Sequence, residues 1–554
     1  MKKTTKTIII IYLAILLFKL LIASTITSPS IFADEYIYSK TAKSFYDNFE
    51  FKVQNIPTNT YPPLYPILLS ISFIFSDNMI LVYLLMKIIN CLISGLIIIP
   101  GYLLSKEFLN KKLSIISTIL IGIHPAIFNF SNYIMAENLY YPLFLTSIYF
   151  LYKSIKENSY KTSLFLGIIT GLTILTKFAG IILIPIIGLT SLYLIIYKKQ
   201  LRQIETKAIS LIIAFLTLIP WFIRNKLVLG NFIGHYGEES LNFITVNFIK
   251  SIIIFSDWII INLFSLLLSS GIILFLFNFT KIKTKIKDEF FIITLISIIT
   301  VVLISSNHNI NILIKQTTLI PWLSGRPIGR YLEVVIPLII INGLRSIDFK
   351  IFSKKIKTLI LVITIIGSQI TFFQLFPVNN MGLTWIGISK YLLEFLTLKK
   401  ASFEPIFNIT SFSLLVLLLI SIMMLTFKLI KNLTSNQILA TILIFFVISS
   451  LITSSAIIYN NKINWENNPQ IQTGKWIENN LKEYKVINLD QESCGKNLKV
   501  NLCTTSKMPQ VIGFFVNKKI KFSNEPKEIF ITNKELNYKK LYEKDKIYIY
   551  KIEN

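Results

Sequence analysis

Blocks of roughly 15–25 consecutive apolar residues recur along most of the chain, the length a helix needs to cross a hydrocarbon core of ~30 Å. Only helices or closed barrels satisfy their backbone groups in lipid. These blocks are continuous rather than alternating, so they read as helices. The chain is 53% hydrophobic over 554 residues, above the about 45–50% of a soluble domain. Its formal charge of +27 would suggest nucleic acid in a soluble protein. Here the basic residues mostly lie between apolar blocks, so membrane topology accounts for them and no nucleic-acid partner is expected.

Met1-Lys2-Lys3 precedes an apolar run from Ile8 to Ala23. The run exceeds the ~7–15 residues of a signal h-region, and Lys19 interrupts it. It therefore reads as a retained first helix over 7–25, rather than a signal peptide cleaved near Ala33. Further spans are predicted near 80–104, 112–130, 139–152, 162–177, 179–197, 208–224, 255–279, 289–306, 331–347, 357–376, 409–429 and 437–459. The stretch Pro62–Phe75 is short and opens with three prolines in five positions. A stretch of ~10–14 apolar residues is more often interfacial than spanning. Laid on the outer surface, it places the loops Lys106–Lys112, Lys153–Lys161, Lys198–Lys207, Lys281–Lys287, Arg345–Lys357 and Lys428–Lys431 all inside, as the positive-inside rule asks. The expectation is thus an all-α polytopic protein of about thirteen transmembrane helices, with a cytoplasmic N-terminus, in the cell membrane.

The tail differs. Residues 460–554 are polar and Lys-rich, with strand-like runs Lys485–Leu489, Gln510–Phe515, Glu528–Thr532 and Lys546–Ile552. Helix-like stretches are Thr473–Leu481 and Glu535–Tyr542. This predicts a small extracytoplasmic α/β domain after a transmembrane domain of residues 1–459. Cys494 and Cys503 in the tail read equally as a disulfide or as two thiols, and Cys91 as inert core. Gly167 and Gly171 form a GxxxG that reads as ordinary helix packing.

The outer loops carry the candidate chemistry. Asp34-Glu35 follow the first helix directly, where a carboxylate pair is as readily plain solvated charge. The short loop Ser131–Asn138 has one charged residue, Glu137, and a lone acid near lipid is costly without a use or a partner. Lys177, Arg224, Arg326 and Arg330 lie at outer helix ends. Each alone reads as an interfacial anchor. Together they describe a positive lining, and the guanidinium fork suits phosphate. Sugar transfer from a lipid phosphate needs cations for the leaving phosphate and a carboxylate base for the acceptor hydroxyl. A glycosidase would need two paired carboxyls, one acting as an acid.

Several motifs carry a resemblance: Asp34-Glu35, Tyr61-Pro62-Pro63-Leu64-Tyr65-Pro66, Met135-Ala136-Glu137-Asn138-Leu139-Tyr140, Pro220-Trp221-Phe222-Ile223-Arg224-Asn225, and Arg330-Tyr331 before a Pro-containing helix. In order and spacing, over residues 1–345, the chain resembles the GT-C glycosyltransferases. Within them it is most similar to the dolichyl-phosphate-mannose protein mannosyltransferases and the lipid A aminoarabinose transferases. The resemblance implies a GT-C fold and transfer, with inversion, of a hexose or pentose from a polyprenyl- or dolichyl-phosphate donor. The acceptor would be a hydroxyl of a lipid, polysaccharide or protein. It also implies Asp34, with Glu35 beside it, as main catalytic acid and Glu137 as the second. Arg224, Arg330, Lys177 and Arg326, in that order, would hold the donor phosphate. A labile Mg²⁺ or Mn²⁺ on Asp34 and Glu137 stays open. His124, His235 and His308 lack ligand spacing. The rival readings are a transporter or lipid flippase and a receptor-like membrane protein. The first lacks an inverted repeat and collects its polar residues at one face rather than at the midplane. The second leaves the acid-bearing loop 131–138 unexplained.

Overall fold

A computed structural model of the chain describes residues 3–30, 32–200, 202–232, 248–280, 282–309, 328–346, 378–384, 435–495, 501–503 and 509–552. Its first eleven helices are α1 Lys3–Thr25, α2 Phe32–Asn48, α3 Leu64–Ser70, α4 Met79–Gly95, α5 Ile98–Ser105, α6 Lys111–Ile123, α7 Pro125–Asn129, α8 Glu137–Glu157, α9 Tyr160–Thr176, α10 Leu183–Lys198 and α11 Arg202–Leu229. They are followed by α12 Phe248–Ser269, α13 Ile272–Asn278, α14 Glu289–Asn309, α15 Gly329–Leu332, α16 Ile336–Arg345, α17 Ser435–Asn460 and α18 Pro469–Asn480. Among the described residues, seven helices are long and apolar enough to cross a membrane, or eight if the bent pair α6–α7 is one span. The chain is a multi-pass membrane protein. The expected spans 357–376 and 409–429 lie outside the described residues.

Several expected spans are broken rather than continuous, and buried polar groups explain how the breaks persist. The pair α6–α7 bends by 54° at His124–Pro125. Proline there removes a backbone donor and starts the next turn. His124 accepts from the Ala126 N–H, and its Nε2 lies 2.9 Å from the Ser269 carbonyl. Lys19 of α1 donates to the Ile127 carbonyl at 2.9 Å. The span expected over 255–279 stops at Ser269 and resumes at Ile272, across Gly271 with φ +76°. A side chain rarely adopts that angle. Lys87 of α4 donates to the Ala23 and Ile26 carbonyls at the end of α1, where a cation suits the helix terminus. These intramembrane lysines finish helix ends.

Gly167 and Gly171 do serve helix packing. A Cβ on Gly167 would lie 2.5 Å from the Ser210 carbonyl, and one on Gly171 would lie 2.6 Å from Thr217 Cβ, so α9 and α11 meet at their backbones. Pro62–Phe75 forms α3 and a 3₁₀ turn Ile71–Ile74, too short to span.

Residues 25–61, polar in sequence, are largely structured. They hold α2 and a small hairpin, β1 Lys52–Val53 against β2 Ile56–Pro57. Helix α2 is polar on average, so its apolar spacing is masked, but Tyr36, Tyr38 and Ala42 are buried at i, i+2 and i+6 along it.

The tail forms a five-stranded sheet from β3 Val486–Asp490, β4 Lys519–Ser523, β5 Ile529–Thr532, β6 Lys539–Lys544 and β7 Ile547–Lys551, in the order β4-β3-β5-β7-β6. β3 runs parallel to β4 and β5, whereas β7 is antiparallel to β5 and β6. Two expectations are overturned. Gln510–Phe515 is a turn, not a strand: its apolar run is buried because Phe514 and Phe515 pack edge-on to Tyr83. Glu535–Tyr542 is not helical. Its end belongs to β6, which pairs with β7 through a two-residue turn at Asp545-Lys546, both with positive φ. β4 was not expected. Cys494 and Cys503 form a disulfide, Cα atoms 4.8 Å apart, and Cys91 is buried and free.

The sheet region is fastened to α2 and α4. Lys40 donates to the Phe514 and Val516 carbonyls at 3.0 and 2.8 Å. Glu478 of α18 accepts from the backbone N–H groups of Met79 and Asn517. The tail braces the helix that carries Asp34.

Candidate active site

Four charged side chains from four segments meet at one place. Asp34 lies in the first turn of α2 and Glu137 at the first position of α8. Both carboxylates therefore sit at helix N-termini, where the backbone favours negative charge. Lys177 caps the end of α9 in extended conformation, and Arg330 lies in the short helix α15. Both cations occupy breaks between helices. Arg330 Nη1 lies 2.8 Å from Asp34 Oδ2, and Lys177 Nζ lies 2.5 Å from Glu137 Oε1. Arg330 Nε is 3.9 Å from the same Glu137 oxygen, so the two pairs form one cluster. The side chains of Arg330, Asp34 and Lys177 keep 18%, 14% and 13% exposure, against 1% for Glu137. Glu137 is thus the rear of the site and the other three are its accessible face.

Aromatic rings complete it. Lys177 Nζ lies 4.7 Å from the centre of the Tyr331 ring and 5.8 Å from that of Tyr140. Tyr61 donates its hydroxyl to Asp34 Oδ1. Burial alone would raise the Asp34 carboxyl, but Arg330, the Tyr61 hydroxyl and Lys177 outweigh it and hold it below the usual carboxylate range. Burial lowers the Lys177 ammonium against the opposing pull of Glu137. Burial also works against the Arg330 guanidinium, yet Glu137 and Asp34 raise it above its ordinary value.

The other nominated residues are placed elsewhere. Glu35 is fully buried, and its carboxylate accepts the Ser30 and Ile134 N–H groups at 2.9 and 3.0 Å, tying the start of α2 to the segment before α8. Arg224 donates to the Thr58 and Phe51 carbonyls at 2.8 and 3.0 Å and lies over Trp221, bracing the β1–β2 hairpin. It also donates to Asn225 Oδ1 at 3.0 Å, and none of these partners belongs to the acidic cluster. Arg326 and His235 lie outside the described residues. His308 stands edge-on to Tyr331 at 5.0 Å.

A divalent ion does not suit the donor set as arranged. The Asp34 and Glu137 carboxylates already carry Arg330 and Lys177, so a dication between them would face two cations. Among the described residues no group of three or more His, Cys, Asp or Glu could hold a metal.

Sequence reasoning missed Tyr61 and Tyr331 as members of the site. Both stood in motifs noted for resemblance, with no charge to single them out. It also missed Glu333, buried one turn beyond Arg330, whose Oε1 accepts the Gly382 N–H at 3.0 Å.

With this geometry in hand, comparison with known proteins is direct. Residues 60–223 match the family described as dolichyl-phosphate-mannose-protein mannosyltransferase. No curated protein matches the chain in sequence. Among solved structures, the chain is similar to ArnT from Cupriavidus metallidurans bound to undecaprenyl phosphate, with TM-score 0.57 and 11% identity, covering 93% of this chain and 85% of that one. The apo state of the same protein gives 0.54 and 12% identity over the same shares. The Archaeoglobus fulgidus oligosaccharyltransferase in its apo form gives 0.46 and 10% identity, covering 92% of this chain and 64% of that one. The chain has the GT-C glycosyltransferase fold, and residues 60–223 within it match the protein mannosyltransferase family.

Proposed function

We propose that this protein transfers a sugar, a hexose or pentose, from a polyprenyl-phosphate donor to an acceptor hydroxyl at the outer face of the membrane, with inversion. One observation carries the reading: Asp34 and Arg330, 2.8 Å apart, share a partly exposed cluster with Lys177 and Glu137. The acceptor would be a lipid, polysaccharide or protein hydroxyl. Residues 1–459 would form the transmembrane catalytic domain, with the N-terminus cytoplasmic, and residues 460–554 the extracytoplasmic one.

The chemistry follows from the charges. Lys177 and Arg330 hold the donor phosphate and take up the charge it gains as it leaves. Among the described residues the Arg330 Nε–H makes no hydrogen bond and faces Glu137 at 3.9 Å, so Glu137 also holds the guanidinium in place. Asp34 accepts the proton of the acceptor hydroxyl. The acceptor oxygen bonds to the anomeric carbon as its bond to the phosphate oxygen breaks, releasing polyprenyl phosphate. Glu137, buried behind, keeps Lys177 charged and in place. The undecaprenyl phosphate bound to ArnT supports a donor of this class.

The test is incubation of the purified protein with a panel of polyprenyl-phosphate sugars. Consumption of one of them, with release of polyprenyl phosphate, is expected. Consumption of none, with intact binding of the lipid phosphate, would favour lipid transport instead.

A further inference from the structure

The Asp34 carboxylate is held from two sides. Oδ2 takes Arg330 Nη1 at 2.8 Å, and Oδ1 takes the Tyr61 hydroxyl. Tyr61 is not placed by chance contact. Its ring stacks on Tyr38, with centroids 4.5 Å apart and planes at 24°. Tyr38 lies one turn beyond Asp34 on α2, so the stack and the hydrogen bond fall on one helix face. Tyr38 packs edge-on against Tyr65 at 4.9 Å. The Tyr65 hydroxyl donates to Asn90 Oδ1 at 2.9 Å, and Asn90 Nδ2 donates to the Tyr133 carbonyl at 2.8 Å. A ladder of rings therefore connects Tyr61 to buried α4. Pro62 and Pro63 fix φ between Tyr61 and Tyr65 and limit how far the ladder can loosen.

We propose that Tyr61 is a positioning residue for the transfer, its hydroxyl holding Asp34 by Oδ1 so that Oδ2 faces the acceptor. The inference rests on the transfer reading given above. When donor phosphate draws Arg330 towards itself, Asp34 loses one of its two partners. Tyr61 remains and keeps the carboxylate from rotating. The acceptor proton then passes to Oδ2, and Tyr61 keeps its own.

Two readouts on Tyr61→Phe test this. The variant keeps the ring stack and loses only the hydroxyl. The first readout needs no turnover: amidation of carboxyls by carbodiimide and glycine ethyl ester, which reports the protonated form, measured at Asp34 by peptide fragmentation across pH. Asp47, a more exposed carboxyl on the same helix, is the internal reference. Tyr61→Phe is expected to move the Asp34 midpoint up by about one pH unit, a tenfold rise in proton affinity, with Asp47 unmoved. The second readout is the lipid-phosphate sugar assay, where kcat is expected to fall about tenfold or more with KM close to wild type. An Asp34 labelling curve that superimposes on wild type would overturn the inference, whatever the assay shows. A shifted curve in a protein that consumes no donor would leave the hold on Asp34 standing and remove the transfer reading.

Discussion

The Arg330 guanidinium meets the Asp34 carboxylate at 2.8 Å across 296 residues of chain. An acid from α2 and a cation from α15 thus share one interaction. In the proposed transfer, the phosphate of a donor lipid competes for that cation. Replacing Arg330 by Lys keeps the charge and removes the fork, so the Kd for a polyprenyl phosphate should rise about tenfold or more. Arg224→Ala should leave that Kd unchanged, because Arg224 spends its donors on the Thr58 and Phe51 carbonyls. Native mass spectrometry of lipid binding separates the two. An Arg224 effect as large as that of Arg330 would move the phosphate site towards the hairpin.

Lys177 and Glu137 form the second ion pair of the cluster, at 2.5 Å. Lys177→Met leaves Glu137 buried without its cation and should cost about 3–5 kcal/mol of stability. The double variant Lys177→Met, Glu137→Gln should recover part of that loss, because no uncompensated charge remains. Thermal unfolding of both variants in the same detergent reads the difference. Equal losses would show that the two side chains are not energetically coupled.

Most of the membrane architecture was legible because span length and loop charge report it directly. The helices Glu289–Asn309 and Ser435–Asn460 stand close to their expected ranges. The breaks were less legible. Nothing local to His124-Pro125 announces that Lys19 of another helix will serve the Ile127 carbonyl. Within the site, Asp34, Glu137, Lys177 and Arg330 were all legible as charges at one face. Arg224, ranked first for phosphate, lies apart from the four-charge cluster, because charge at a helix end does not reveal that backbone carbonyls will claim it. Glu35 was paired with Asp34 by adjacency, yet neighbouring residues on a helix point in different directions. In the tail, Phe514 and Phe515 read as strand because burial against Tyr83 produces the same apolar run.

The attachment of the tail should depend on pH. Burial pushes the Lys40 ammonium down to about 7, with Glu478 opposing. The unfolded chain has a lysine pKa of ~10.4, so it binds more protons than the folded chain between those values. This lysine therefore makes the protein more stable as pH rises from about 7 towards ~10, and that gain is absent at lower pH. Lys40→Met should flatten this part of the unfolding profile. A slope unchanged in the variant would mean that Lys40 stays charged in the folded protein.

The backbone contact between α9 and α11 is equally open to test. A Cβ at Gly167 would meet the Ser210 carbonyl at 2.5 Å, an atom that cannot rotate aside. Gly167→Val should destabilise the protein by about 1–3 kcal/mol or more through forced separation of the helices. Gly188→Val should be tolerated, since nothing lies within 4 Å of a Cβ there. Comparing the melting temperatures of the two variants decides it.

The most direct measurement is single-turnover release of polyprenyl phosphate from a lipid-phosphate sugar by wild type and Asp34→Asn side by side. The substitution keeps the shape of the carboxylate and removes its capacity to accept a proton. The expected result is release by wild type and a rate lower by about 10²–10⁴-fold in the variant, with lipid phosphate still bound. Release at a near-normal rate by Asp34→Asn would contradict the assignment of Asp34 as the base on which the proposed transfer depends.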